Sequence, residues 1–97
     1  MAMAIQAFAG PHARAIFEGK HPGKGFPVDL VRITKRKLEM PHAAVSLESL
    51  RAPPGNRLEA LAGGRKGQHS IRVNGQFRLC FVWTEAGPAQ VEFVDYH

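Results

Sequence analysis

From Gln68 to Trp83 the chain reads with the period of a strand, broken once at Asn74-Gly75-Gln76. Successive residues of a strand point to opposite faces, so the pattern predicts two antiparallel strands joined by a tight turn. In Phe77-Leu79-Phe81-Trp83 one face is strongly apolar, leaving Arg78, Cys80 and Val82 on the other, while Ile71 and Val73 of the preceding strand oppose Ser70 and Arg72. Charge then selects the register. A two-residue Asn74-Gly75 turn would pair Arg72 with Phe77 and bury a guanidinium, whereas a three-residue loop, Asn74-Gly75-Gln76, pairs Val73 with Phe77 and Arg72 with Arg78. The three-residue loop is the expectation, and it sets both arginines on one open sheet face. Two adjacent guanidiniums repel unless an anion lies between them, so that face reads as a phosphate cradle.

The same periodicity recurs nearby. Arg57-Leu58-Glu59-Ala60-Leu61 and Ala89 to Asp95 add two further strands, each set off by glycine-rich turns. Toward the N-terminus, Ile5 to Phe8 reads as a short strand, broken by Gly10-Pro11. A helix is expected from Pro11 to Glu18, with Gly19 as its stop. Gly19 to Pro27 holds three glycines and two prolines and reads as a loop. From Val28, apolar residues recur at helical spacing through Leu30, Val31, Leu38 and Met40, with Asp29, Arg32, Lys35, Arg36 and Lys37 between them. That is an amphipathic helix with a basic outer face, ended by Pro41. A shorter helical piece from Ala43 to Leu50 precedes the Pro53-Pro54-Gly55 turn. The expected fold is therefore α+β, an antiparallel sheet with helices on one face, in one domain spanning residues 1–97.

A chain of 97 residues can bury one modest core. Its 13 Lys and Arg against 8 Asp and Glu give a formal charge of +5, a balance that suits a polyanionic partner. Cys80 is the only cysteine, so neither an internal disulfide nor a thiolate zinc cluster is available, and a reducing cytoplasm fits best. Nothing near Met1 reads as a secretory signal, and nowhere do eighteen apolar residues follow one another. His12, His21 and His42 lack metal-ligand spacing and read as surface residues, and Trp83 reads as core.

Pro53-Pro54-Gly55-Asn56-Arg57-Leu58-Glu59-Ala60-Leu61, then Gly64-Arg65-Lys66-Gly67, then the hairpin with Arg78, and finally Asp95-Tyr96-His97 form an ordered set. That set resembles the HigB branch of the RelE-like toxins, ribosome-dependent mRNA endonucleases of type II toxin–antitoxin pairs. The resemblance implies a RelE-like fold and a cytoplasmic protein acting on mRNA in the ribosomal A site, in contact with rRNA. It also implies neutralisation by a helix-turn-helix antitoxin of the HigA type, with no membrane, metal or cofactor. By position, Asp95, Tyr96 and His97 correspond to the family's terminal active-site motif and Arg78 to its phosphate-binding arginine. A subset of the family carries a histidine and a lysine where this chain has Glu59 and Ala62, which leaves Glu59 as a candidate general base. His69 and Phe77 stand where relatives carry larger aromatics, as packing or RNA-facing variants.

The chemistry is consistent with those residue types. RNA cleavage without a metal needs a base for the 2′-OH, charge neutralisation at the scissile phosphate, and a proton for the leaving 5′-oxygen. His97 titrates near neutrality, and the chain's own terminal carboxylate beside it favours the charged form. Tyr96 would stack on a base or hydrogen-bond near the 2′-OH, and Asp95 would orient one of its neighbours. Arg57, Arg65, Lys66 and Arg72 are candidate RNA contacts. Two other readings stay open on the residues: a non-catalytic RNA- or ribosome-binding module, and a basic protein-interaction domain.

Overall fold

In the computed structural model, which describes residues 4–95, two helices and a four-stranded antiparallel sheet share one core. Helix α1 (Ala13–Phe17) is short, and Gly19 closes it with φ +77°, its N–H donating to the Ile16 carbonyl at 3.1 Å. A side chain resists that left-handed conformation, so glycine belongs there. A single turn of 3₁₀ helix (Val28–Leu30) leads into helix α2 (Val31–Ala43). Pro41 does not end α2, which runs on to Ala43. The proline falls in the last turn, so the ladder bond it removes is near the helix end and only two helical residues follow, and its ring is fully buried. The buried stripe of α2 is Thr34, Lys37, Leu38 and Pro41, spaced i, i+3, i+4 and i+7. Lys37 therefore departs from the basic outer face expected of it. The piece after α2 is a 3₁₀ helix (Leu47–Arg51), started by the Ser46 hydroxyl accepting from the Ser49 N–H.

Strands β1 (Glu59–Ala60), β2 (His69–Arg72), β3 (Phe77–Thr84) and β4 (Gly87–Asp95) lie in chain order across the sheet. The β2–β3 hairpin takes the register selected by charge: Arg72 faces Arg78, and the Val73 N–H donates to the Phe77 carbonyl at 2.9 Å. Asn74 holds the loop, its side-chain oxygen accepting from the N–H groups of Gln76 (2.9 Å) and Phe77 (2.8 Å). Asn74→Ala removes both bonds and is expected to lower stability by about 1 kcal/mol. A chemical-denaturation midpoint that moves with unchanged slope checks this.

Between Cys80 and Val82 the β3–β4 register shifts, and Gln90 takes φ +52°. One extra residue of β4 is accommodated there as a bulge. The N-terminal segment does not form the strand expected at Ile5 to Phe8. It runs parallel to β4 with one bridge, Phe8 to Val91, and main-chain bonds Gln6 to Pro88 and Ala9 to Val91. Ile71, Leu79, Phe81 and Val91 present the sheet's inner face, covered by Ala13 and Ile16 of α1 and Leu38 of α2. The helices thus pack on one face, and Ser70 and Arg72 of β2 and Arg78 of β3 lie on the other. Among the described residues no helix is long and apolar enough to cross a membrane.

Candidate active site

Strand alternation assembles the polar face in two rows. Glu59, Ser70, Cys80 and Glu92 stand opposite one another across β1 to β4, and Arg72, Arg78 and Val94 form the next row across β2 to β4. Arg57 leads into β1 from the Pro53–Asn56 turn with φ +46° and ψ +57°, a left-handed conformation that directs its carbonyl across this face.

Arg78 departs from the open-face expectation: it is only 7% exposed. Its Nε donates to Ser70 Oγ at 2.7 Å, its Nη2 donates to the Arg57 carbonyl, and its Nη1 lies 3.4 Å from Glu59 Oε1. The cause is cover from earlier in the chain, because the Arg57 carbonyl and the Glu59 carboxylate reach Arg78 from the segment that leads into the edge strand β1. Glu59 supplies an anion on the Arg78 side of the arginine pair. The result is a guanidinium whose plane is fixed by several acceptors, with a half-exposed carboxylate beside it.

The other candidates are placed as follows. Arg65 donates to Gln68 at 3.1 Å and pairs with Glu92 at 3.3 Å, so it belongs to the same face. Lys66 is exposed on the glycine-rich turn between β1 and β2. Arg72 is half-buried and has no hydrogen bond or ion pair among the described residues. Its guanidinium leans toward the hairpin turn, 3.7 Å from where a Cβ on Gly75 would lie. Asp95, exposed at the end of β4, stands opposite Phe77 rather than Arg78, and so lies on the other sheet face. There it accepts from the Gln76 side chain at 3.2 Å and lines a cleft of about 280 Å³ with His12, Phe26, Phe77 and Phe93. Tyr96 and His97 lie outside the described residues.

Ser70 and Glu92 belong to the constellation, yet the residue pattern did not single them out. Ser70 was readable as sharing a face with Arg78, but only the folded chain shows its hydroxyl accepting from Nε. Cys80 sits in the same row, fully buried, and desolvation pushes its thiol above its ordinary value, so it is a packed residue rather than a nucleophile. His69 and Phe77 take packing roles. His69 pairs with Phe81 on the inner face, and Phe77 stacks on Phe93 with ring centroids 4.7 Å apart. Two of the histidines expected at the surface are partly buried. His12 bonds the Pro22 carbonyl at 2.8 Å and lies against Phe26, while His42 accepts from the Ile5 N–H at 3.2 Å and lies against Phe17. Among the described residues no three His, Cys, Asp or Glu side chains gather as metal ligands.

A fixed guanidinium, a neighbouring carboxylate and a second arginine suit charge neutralisation at a phosphodiester with a base close by. Residues 6–97 match a family model described as the RelE-like toxin HigB of type II toxin–antitoxin systems. Over 62 residues the chain is 52% identical to toxin HigB-1 of Vibrio cholerae serotype O1, covering 64% of each protein. Over 55 residues it is 42% identical to an uncharacterized protein of Haemophilus influenzae, covering 57% of this chain and 54% of that one. Both matches span less than two thirds of the relative's length.

Proposed function

Because this chain belongs to the HigB-like family of RelE-like type II toxins, we propose that it is an endoribonuclease that cuts mRNA on the ribosome by attack of a ribose 2′-OH. The observation that carries this reading is the fixing of Arg78 by Ser70 and the Arg57 carbonyl, with the Glu59 carboxylate 3.4 Å from Nη1. A donor held in place before substrate arrives needs no reorganisation when charge develops, which is the most effective form of electrostatic stabilisation.

In the proposed reaction a base, Glu59 or His97, takes the 2′-OH proton. The 2′-oxygen bonds to phosphorus, the P–O5′ bond breaks, and the conjugate acid of the other group protonates the leaving 5′-oxygen. Arg78 neutralises the non-bridging oxygens. The products are a 2′,3′-cyclic phosphate and a 5′-OH, and no metal or cofactor takes part. Tyr96 and Asp95 would position the reacting groups, while Arg57, Arg65, Lys66 and Arg72 would hold the RNA backbone. The exposed cations Arg32 and Lys35 of α2 suit rRNA, and acting in the ribosomal A site would make the protein cytoplasmic. A helix-turn-helix antitoxin of the HigA type is the proposed neutralising partner.

The test is induction in cells with mapping of mRNA 5′ ends, together with cleavage in vitro of a ribosome-bound mRNA carrying one 2′-deoxy substitution at the mapped site. Growth arrest with new 5′-OH ends, and no cut at the 2′-deoxy position, is the expected result. A cut that proceeds without the 2′-OH would sink the mechanism, and growth arrest without new ends would sink the nuclease reading.

A further inference from the structure

Lys37 is a charged side chain in an unusual place. It is 8% exposed, and its ammonium donates to Asn56 Oδ1 at 2.7 Å, a neutral acceptor. Asn56 is fully buried and is itself held by donating to the carbonyls of Leu50 (3.1 Å) and Ala52 (3.3 Å). The ammonium is therefore fixed against the Pro53–Asn56 turn. Among the described residues no carboxylate lies within ion-pair distance of it, and Asp29 and Glu39 of the same helical segment form no ion pair there.

The neighbouring charges have the same sign. Burial, followed by the cations Arg36 and Arg72, lowers the Lys37 pKa. Neither arginine has a hydrogen bond or ion pair among the described residues. Arg72 stands where β1 no longer covers β2, since β1 pairs only with His69 and Ser70. It also faces Arg78 across the hairpin. A buried ammonium that meets a neutral acceptor, beside an exposed and a half-buried guanidinium and with no carboxylate on any of the three among the described residues, is favoured by an anion that completes the group.

We propose that Lys37, Arg36 and Arg72 form a second phosphate subsite, at the Pro54–Asn56 turn that α2 meets through Lys37 and that also packs on β2, and that it holds a backbone phosphodiester of the same RNA whose scissile phosphate meets Arg78. The proposal rests on the endoribonuclease reading and extends its binding track from the sheet face onto α2. Asn56 is the positioning residue, because it aims the Lys37 ammonium, while Arg36 and Arg72 close over the phosphate from helix and strand.

The test is binding of a short single-stranded 2′-O-methyl RNA, which cannot be cut, measured against salt concentration. Each phosphate contact with a single strand contributes about 0.7 to the slope of log affinity against log salt. Lys37→Gln, Arg36→Gln and Arg72→Gln are each expected to lower the slope by up to about that amount and to weaken binding several-fold. The exposed loop cation Lys24 serves as control, and Lys24→Gln should leave the slope unchanged. Arg36→Gln and Arg72→Gln keep the Lys37–Asn56 bond, so they test the subsite even if Lys37→Gln fails to fold. A loss confined to Arg72→Gln, or one equalled by Lys24→Gln, overturns the subsite. So does a loss seen with poly-L-glutamate and not with RNA, which would make the patch a surface for an acidic protein. Wild-type slopes in all the variants sink the subsite alone, whereas a wild-type protein that binds no RNA sinks the endoribonuclease reading with it.

Discussion

Arg78→Ala is expected to slow cleavage of ribosome-bound mRNA by about 10²–10³ and to destabilise the protein at the same time. The rate loss follows from removing one preorganised donor at the scissile phosphate. It should appear in kcat more than in KM, because the contact strengthens as charge develops on the phosphate. The stability loss follows from burial. With the guanidinium gone, Ser70 Oγ and the Arg57 carbonyl lose a donor they share inside the fold. An unsatisfied buried group costs about 1–3 kcal/mol, which in a domain of this size lowers the Tm by several degrees. An arginine lying on an open face would have left the fold untouched. Arg78→Lys separates the two effects: it keeps the charge but not the planar fork, so one ammonium cannot serve Ser70, Arg57 and Glu59 together. Wild-type cleavage by folded Arg78→Ala protein would remove Arg78 from the mechanism, and an unchanged Tm would contradict its burial.

His97→Ala is expected to reduce the cleavage rate by about 10²–10⁴, the usual contribution of one general acid or base. An imidazole titrates near neutrality, so the variant should also lose one limb of the pH–rate profile. Comparison with Glu59→Gln then divides the roles. If Glu59 is the base, its variant loses the acidic limb, where the carboxylate must be ionised to accept the 2′-OH proton. If Glu59 only orients Arg78, the profile keeps its shape and falls in height. Cleavage by His97→Ala at the wild-type rate, with the profile intact, would move the chemistry to the ground between Glu59 and Arg65.

Periodicity and charge alone determined the four strands, the three-residue loop at Asn74 and the pairing of Arg72 with Arg78. Each depends on side-chain alternation and on the cost of burying a guanidinium, and both can be read along the chain. The ordered motifs from Pro53 onward likewise carried the resemblance that the family match bears out. Three things needed the folded chain. Alternation says which face Arg78 occupies but not what covers it, and the carbonyl that holds it belongs to a residue 21 positions earlier. The face of Asp95 depends on the β3–β4 register, which a bulge at Gln90 resets. Lys37 looked like one more cation on an outer helix face. Only the packing of α2 against the Pro53–Asn56 turn turned it inward, because a long side chain can be buried wherever a fixed acceptor such as Asn56 meets its charged end.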